Sequence, residues 1–283
     1  MKLTVLLDNN TLIDRYFLGE PGVSYLIEEQ GKKILLDVGY SDAFLQNASK
    51  MGIDLLNVDY IVLSHGHMDH SWGLFPLVRL HTEALIEKKK RKRPVLIAHP
   101  DVFLTRTLDP MSEIGSLLSS DKLARHFEMK LTPDPVWISE NLVFLGRIER
   151  SFPFEARQSI GRIKRASGEE TDDFIEDDSA LAFKSGDGLV IITGCSHSGI
   201  CNITETARKI CGESCVKDIL GGFHLLHPPR DQMEGTLEYF RNLRPKTLHA
   251  CHCTDLASKI ALAGVCPLEE VGVGLSLEYH PHI

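Results

Sequence analysis

Leu63-Ser64-His65-Gly66-His67-Met68-Asp69-His70 packs three imidazoles and a carboxylate into six consecutive positions. The run that leads into it, Tyr60-Ile61-Val62-Leu63, is apolar and β-forming and predicts a short buried strand. After Ser71-Trp72-Gly73 the pattern becomes apolar and helix-like. The cluster therefore falls on a turn where a strand ends. No regular helix or strand puts residues so spaced on one face, but a turn can aim all four side chains into one cavity. Imidazole nitrogen and carboxylate oxygen are ligands for Zn, Fe, Mn or Co. Structural zinc sites usually recruit closely spaced thiolates and close four ligands. Here the donors are His and Asp, which favours an open, chemically active site over a structural clip or a chance exposed turn.

Working outward towards the N-terminus, Val23–Ile27 and Lys33–Leu36 read as strands around Glu29-Gln30-Gly31-Lys32, a hairpin signal. Residues 2–7 predict a first strand, broken by Asp8-Asn9-Asn10. Asp37 ends the second hairpin strand. It reads equally as a carboxylate that orients a ligand histidine and as a turn residue. Ser41 to Met51 predicts a helix stopped by Gly52. Gly73 to about Glu87 predicts another, followed by six cations, Lys88 to Arg93. A solvated helix end suits that run better than a phosphate grip, because cations there complement the helix dipole. Pro94–Ala98 predicts a strand ending at His99, either a cavity residue or a structural histidine.

Towards the C-terminus one arrangement recurs. Leu189–Thr193, Val216–Leu220 and Lys246–Ala250 are strand-like, and each hands over to a helix through a histidine: His197, His224 and His252. Ligands in layered α/β folds gather where strand ends meet loops. Three histidines at equivalent ends, with the anchor turn, predict one shared cavity. Between the halves, from about 101 to 178, the pattern weakens, with strand-like pieces near Glu128–Leu131 and Leu142–Leu145. Residues 155–178 are polar and acidic and predict a mobile flap beside the site, where substrate selectivity would reside.

The chain has 283 residues, 43% of them hydrophobic, enough for a sizeable core. A net charge of −8 argues against broad binding to nucleic acid. No apolar run approaches the length of a membrane span, and the first residues open on a strand pattern rather than a signal segment, so a cytoplasmic location is expected. All seven cysteines lie from Cys195 onward. An odd count fits a reducing compartment. Cys211-x₃-Cys215 and Cys251-x-Cys253 allow an iron–sulfur or zinc site, although buried free thiols are the commoner outcome.

His65-Gly66-His67-Met68-Asp69-His70 after an apolar strand resembles the H-x-H-x-D-H signature of the metallo-β-lactamase superfamily. Ile34–Gly39 resembles its upstream strand-ending Asp-x-Gly. Gly194-Cys195-Ser196-His197-Ser198-Gly199, Gly221-Gly222-Phe223-His224 and His252-Cys253-Thr254 look like one branch of it, the dihydropteroate-synthase-like proteins of archaeal methanopterin synthesis and their bacterial relatives. The resemblance covers nearly the whole chain. It implies an α/β fold, a four-layer αβ/βα sandwich of two mixed sheets with helices outside. It implies a single domain over 1–283 with a flap-like insertion at about 101–178.

The same resemblance implies two divalent metal ions, Zn foremost, Fe or Mn as alternatives. His65 and His67 would serve the first ion, with His197 as its best remaining candidate. Asp69, His70 and His252 would serve the second. Many members carry a bridging Asp where this chain has Cys195, which leaves Cys195 near the ions with its bridging role open. Asp69 and His224 are the expected catalytic residues, His224 as a proton donor or as a hydrogen-bond partner of a substrate phosphate. The expected activity is hydrolysis of an ester or phosphoester small molecule by a metal-bound hydroxide. The alternative is a transferase that joins a dihydropterin diphosphate to an aminobenzene-ribofuranosyl phosphate and releases pyrophosphate. A non-catalytic metal- or redox-binding protein is a third reading. The expected partner is a phosphate-bearing small molecule, with no nucleic acid and no membrane. A flavin-linked di-iron reductase fits less well, since such motifs carry Glu where His67 stands.

Overall fold

A computed structural model describes residues 1–165 and 167–281; the last two residues of the expected domain lie outside the described residues. β1 (Lys2–Leu7) pairs antiparallel with β2 (Ser24–Glu29), which turns back on β3 (Lys32–Leu36). The reversal falls at Gln30 and Gly31, both at positive φ (48° and 74°), as a two-residue hairpin turn requires. α1 (Ala43–Lys50) then leads to β4 (Tyr60–Val62), parallel to β3. After the histidine turn come α2 (Met68–Ser71), α3 (Leu74–Ile86) and β5 (Val95–Ala98), parallel to β4.

The stretch expected as a flap contributes strands to both sheets. It holds β6 (Arg106–Thr107), α4 (Ser120–Leu123), β7 (Glu128–Leu131), β8 (Val136–Trp137), β9 (Leu142–Phe144), β10 (Arg162–Lys164) and β11 (Glu170–Asp172). β7 is the edge of the first sheet, and β8 and β9 form the edge of the second. β6, β10 and β11 make a separate three-stranded sheet. The acidic tract divides: Glu169, Glu170, Asp172 and Glu176 are exposed, whereas Asp173, Asp177 and Asp178 are buried. Arg106, fully buried, explains the first two, with Nε 2.7 Å from Asp173 and Nη2 2.6 Å from Asp177, while Asp178 accepts the Ser198 backbone N–H at 2.7 Å.

The second half supplies β12 (Ala180–Ser185), β13 (Gly188–Thr193), α5 (Ile200–Cys211), β14 (Val216–Gly222), α6 (Arg230–Leu243), β15 (Thr247–Cys251), α7 (Leu256–Ala263) and β16 (Ser276–Glu278). The first sheet runs β16-β1-β2-β3-β4-β5-β7 and the second β15-β14-β13-β12-β9-β8, both with mixed parallel and antiparallel pairs.

Alternation along the strands sorts the side chains into three cores. Val5, Ile27, Ile34 and Val62 meet Phe144, Phe183, Val190 and Ile192 between the sheets. Leu35, Ile61 and Leu96 face Phe44 of α1 and Leu74 and Leu77 of α3. Leu189, Ile191, Ile219 and Leu248 face Ile203 of α5, Phe240 of α6 and Leu262 of α7. Three apolar interfaces make four layers, helix–sheet–sheet–helix. Each fully buried aliphatic side chain contributes about 1.5–3 kcal/mol, so these interfaces hold the two parallel strand sets in fixed relation. β3, β4 and β5 in one sheet and β13, β14 and β15 in the other end at a common rim.

Candidate metal centre

At that rim Ser64, the residue before the first histidine, ties the motif to the strand beside it. Asp37, just past β3, accepts the Ser64 backbone N–H at 2.7 Å and its hydroxyl at 2.6 Å. The other sheet comes just as close. A Cβ on Gly194, past β13, would stand 2.1 Å from Ser64 Oγ and 2.6 Å from Asp37 Oδ2, so only glycine lets the two rims touch.

His65, His67 and His197 converge there. His67 Nδ1 lies 3.1 Å from His65 Nε2 and 3.1 Å from His197 Nε2. Burial, reinforced by neighbouring imidazoles and by Arg106, pushes His65 well below the usual histidine range and His67 to about 4. Burial and the adjacent His224 do the same to His197. Three neutral imidazoles therefore aim ring nitrogens at one point, the donor set a divalent ion takes.

The second group has opposite electrostatics. His70 Nε2 is 3.3 Å from His252 Nε2, and Asp69 Oδ2 is 3.3 Å from His252 Nε2 and 3.6 Å from His70 Nε2. Burial opposes charge on His70, yet the Asp69 and Asp37 carboxylates raise it to about 9. Burial likewise opposes charge on Asp69, and His70 and His252 hold it well below the usual carboxylate range. Cys195 groups with His70 and His252, within 4.8 Å. Its Sγ is also 2.9 Å from Cys253 Sγ and 3.6 Å from His224 Nδ1. Burial works against ionising Cys253, but the Cys195 thiol's hydrogen bond and the charges of His252 and His224 bring it well below the thiol range. Burial and Cys253 push Cys195 upward.

All eight expected site residues are thus brought to one place. His67, Asp69, Cys195, His197, His224 and His252 line a cavity of about 640 Å³, while His65 and His70 sit fully buried behind its wall. The opposite wall is apolar, with Leu108, Met111, Ile114 and Ile160 from the insertion, and Tyr40 stacked on Trp72 with ring centroids 5.0 Å apart. Among the described residues, this wall carries no Lys or Arg. A smaller polar cleft of about 260 Å³, with Arg157, Gln158, Ser159 and Gln232, shares His197, His224 and Ile160 with it. A groove of about 520 Å³ beside α5 and α6 has no imidazole or thiol on its wall.

The metallo-beta-lactamase superfamily model matches residues 18–252. The chain belongs to that superfamily. It is 30% identical over 273 residues to a 7,8-dihydropterin-6-methyl-4-(beta-D-ribofuranosyl)-aminobenzene-5'-phosphate synthase of Methanocaldococcus jannaschii, covering 92% of this chain and 89% of the relative. Among solved structures it resembles Tm1679, described as a metal-dependent hydrolase of the beta-lactamase superfamily, at 28% identity and a TM-score of 0.82 over 99% of both chains. A diphosphatase of the PhnP family shares the fold at 17% identity, with a TM-score of 0.54 over 100% of this chain and 99% of the other.

Superfamily members usually bind divalent ions, and the histidine groups here can hold metal. Some residues around them were not expected at the site, Cys253 among them, which the sequence paired with Cys251 rather than Cys195. Cys253 lines the cavity beside Cys195. Asn9 Oδ1 lies 2.9 Å from His252 Nδ1, and Asp8 accepts the His252 backbone N–H at 3.1 Å, both from the segment that merely breaks the first strand pattern. Asp177 accepts the Gly66 N–H at 2.9 Å and so braces the histidine turn from the insertion. His99 lines neither cavity; its Nδ1 accepts the Asp101 N–H at 3.2 Å and caps a 3₁₀ turn (Pro100–Phe103). Of the cation run, Lys92 pairs with Asp59, and Arg93 donates to the Ala124 and Phe127 carbonyls. No helix among the described residues is long and apolar enough to cross a membrane.

Proposed function

We propose that this chain is a two-metal transferase acting on a small diphosphate ester, joining a dihydropterin diphosphate to an aminobenzene-ribofuranosyl phosphate. The observation that carries the reading is the pair of clefts, one apolar and one polar, that meet at His197 and His224. A hydrolase needs room for one organic substrate and water; two adjoining clefts at one reactive point suit two organic substrates. The synthase name of the Methanocaldococcus jannaschii relative supports the same direction.

His65, His67 and His197 would hold one ion, and Asp69, His70 and His252 the other, with Cys195 reaching towards the second. Two bound ions, Zn foremost, would supply the positive charge that no Lys or Arg of the cavity wall provides and so stabilise a departing diphosphate. In the transfer, the aniline nitrogen forms a bond to the pterin methylene carbon. The carbon–oxygen bond to the diphosphate breaks, pyrophosphate leaves with the electron pair, and the amine loses a proton. His224 stands between the clefts. Burial acts to lower its pKa, but Cys253 beside it raises it, and a ring N–H there can donate a hydrogen bond to a phosphate oxygen. The flat apolar wall of Tyr40, Met111 and Leu226 suits a ring system and excludes water from the reacting carbon.

Hydrolysis of an ester or phosphoester at the same ions is the second reading, supported by the hydrolase description of Tm1679. The experiment that separates them is pyrophosphate release with each partner alone and with both together. Release that requires both supports the transferase. Release from the diphosphate alone, or turnover of a simple phosphodiester, supports the hydrolase. Elemental analysis accompanies it: about two Zn, Fe or Mn per chain is expected, falling to about one in Cys195→Ala if its sulfur is a ligand. Bound metal without either turnover would leave a metal-binding protein.

A further inference from the structure

Cys195 and Cys253 are 58 positions apart, at the ends of β13 and β15, which flank β14 on opposite sides. Strands so placed are about 9–10 Å apart, yet the two sulfurs are separated by 2.9 Å. The intervening strand makes this possible by ending in a residue without a side chain. A Cβ on Gly222 would lie 2.6 Å from Cys253 Sγ and 2.7 Å from the Gly194 carbonyl oxygen. With glycine there, the two sulfurs meet over the end of β14.

We propose that Cys195 and Cys253 are an oxidative modification site, a dithiol that hydrogen peroxide or a small-molecule disulfide closes to an intramolecular disulfide. The sulfurs need to approach by a little under an ångström to reach the bonded distance of about 2.05 Å. Both side chains line the large cavity, which gives a small oxidant access. The other cysteines lack this arrangement: none of them lines the cavity, Cys251 Sγ is engaged by the Tyr25 hydroxyl at 3.3 Å, and the Cys266 thiol donates to the Phe240 carbonyl at 3.6 Å.

With peroxide, one sulfur attacks an oxygen, the O–O bond breaks, and a sulfenic acid and water form. The second sulfur then displaces the hydroxyl as water. Two S–H bonds become one S–S bond, the peroxide is reduced to two waters, and each sulfur gives up one electron. With a small disulfide, the thiols exchange through a mixed disulfide, and two small thiols leave. Closure takes both sulfur donors off the cavity wall, directly beside His70, His224 and His252. The inference does not depend on which reaction the site performs.

The test uses the full chain, reduced, desalted and exposed to one equivalent of hydrogen peroxide, or separately to oxidised glutathione. It is then alkylated under denaturing conditions and mapped by mass spectrometry. Five of the seven cysteines should alkylate, and a peptide pair linking 195 to 253 should appear and vanish on reduction. In Cys253→Ser the linked pair should be absent and six thiols should alkylate. Seven free thiols in the treated wild type would overturn the proposal. So would a linkage between other positions, or oxidation confined to sulfinic acid or a stable glutathione adduct on either cysteine.

Discussion

Asp37 Oδ2 lies 2.7 Å from His70 Nδ1, with both side chains fully buried. The carboxylate fixes the imidazole so that Nδ1 donates to it and Nε2 faces His252 and Asp69. Carboxylate–histidine pairs of this kind raise ligand basicity, and their loss costs roughly 10–100-fold in metal affinity. Asp37→Asn should therefore retain one ion and bind the other about 10–100-fold more weakly, as read by competition with a graded chelator. Equal affinity for both ions would remove Asp37 from any orienting role.

His224→Ala should keep its metal, because the two histidine groups are complete without it. Turnover should fall by roughly 10²–10⁴-fold, the usual contribution of a positioned proton donor. Metal content and kcat measured on one preparation decide the matter. Undiminished kcat would show that the contact with Cys195 and Cys253 is only structural.

Arg106→Leu should destabilise the fold by about 3–5 kcal/mol, since it strands Asp173 and Asp177 in the interior without their partner. The midpoint of chemical denaturation measures this. Changing Asp173 and Asp177 to Asn in the same chain should recover part of the loss, because two neutral side chains replace two unpaired charges.

His81 on α3 is buried edge-on against Phe127, and both ring nitrogens lack a partner. Burial, helped by Arg91, lowers its pKa from 6.5 to about 4. Above pH 6.5 neither folded nor unfolded chain holds this proton; between there and about 4 the unfolded chain takes it up while the folded one does not. His81 therefore removes stability as pH falls through that window. His81→Phe should be the more stable protein, and its advantage over wild type should widen from about pH 7.5 to about pH 5. Denaturation midpoints at the two pH values test this; an advantage that stays constant would mean His81 is protonated in the folded chain.

The histidine turn was legible because its information is local: a strand pattern, a break, and three imidazoles and a carboxylate within six positions. The late histidines were legible for the same reason, each at the end of an apolar run. The insertion was legible only in part. β7 and β9 were legible as short strand-like pieces, but which sheet each joins was not, and the two-residue β8 is too short to show a period. The acidic tract looks solvated until Arg106 is placed beside it, and that ion pair spans 67 positions to Asp173 and 71 to Asp177. Asn9 and Cys253 belong to the same class, since their roles exist only once strands distant in sequence share a rim. His99 stood between two readings, and a 3₁₀ cap decides for the structural one.

The two histidine groups draw on both sheets: His65 and His67 meet His197, and His70 meets His252, across sequence gaps of up to 182 residues. Each candidate site is therefore a seam, and neither half of the chain owns one. An ion seated there would act as a rivet between the halves, adding to the unfolding free energy in proportion to the logarithm of its concentration over its dissociation constant. Loss of the ions would then loosen the sandwich at this shared rim first, so the proposed chemistry and the cohesion of this protein should rise and fall with the same supply of metal.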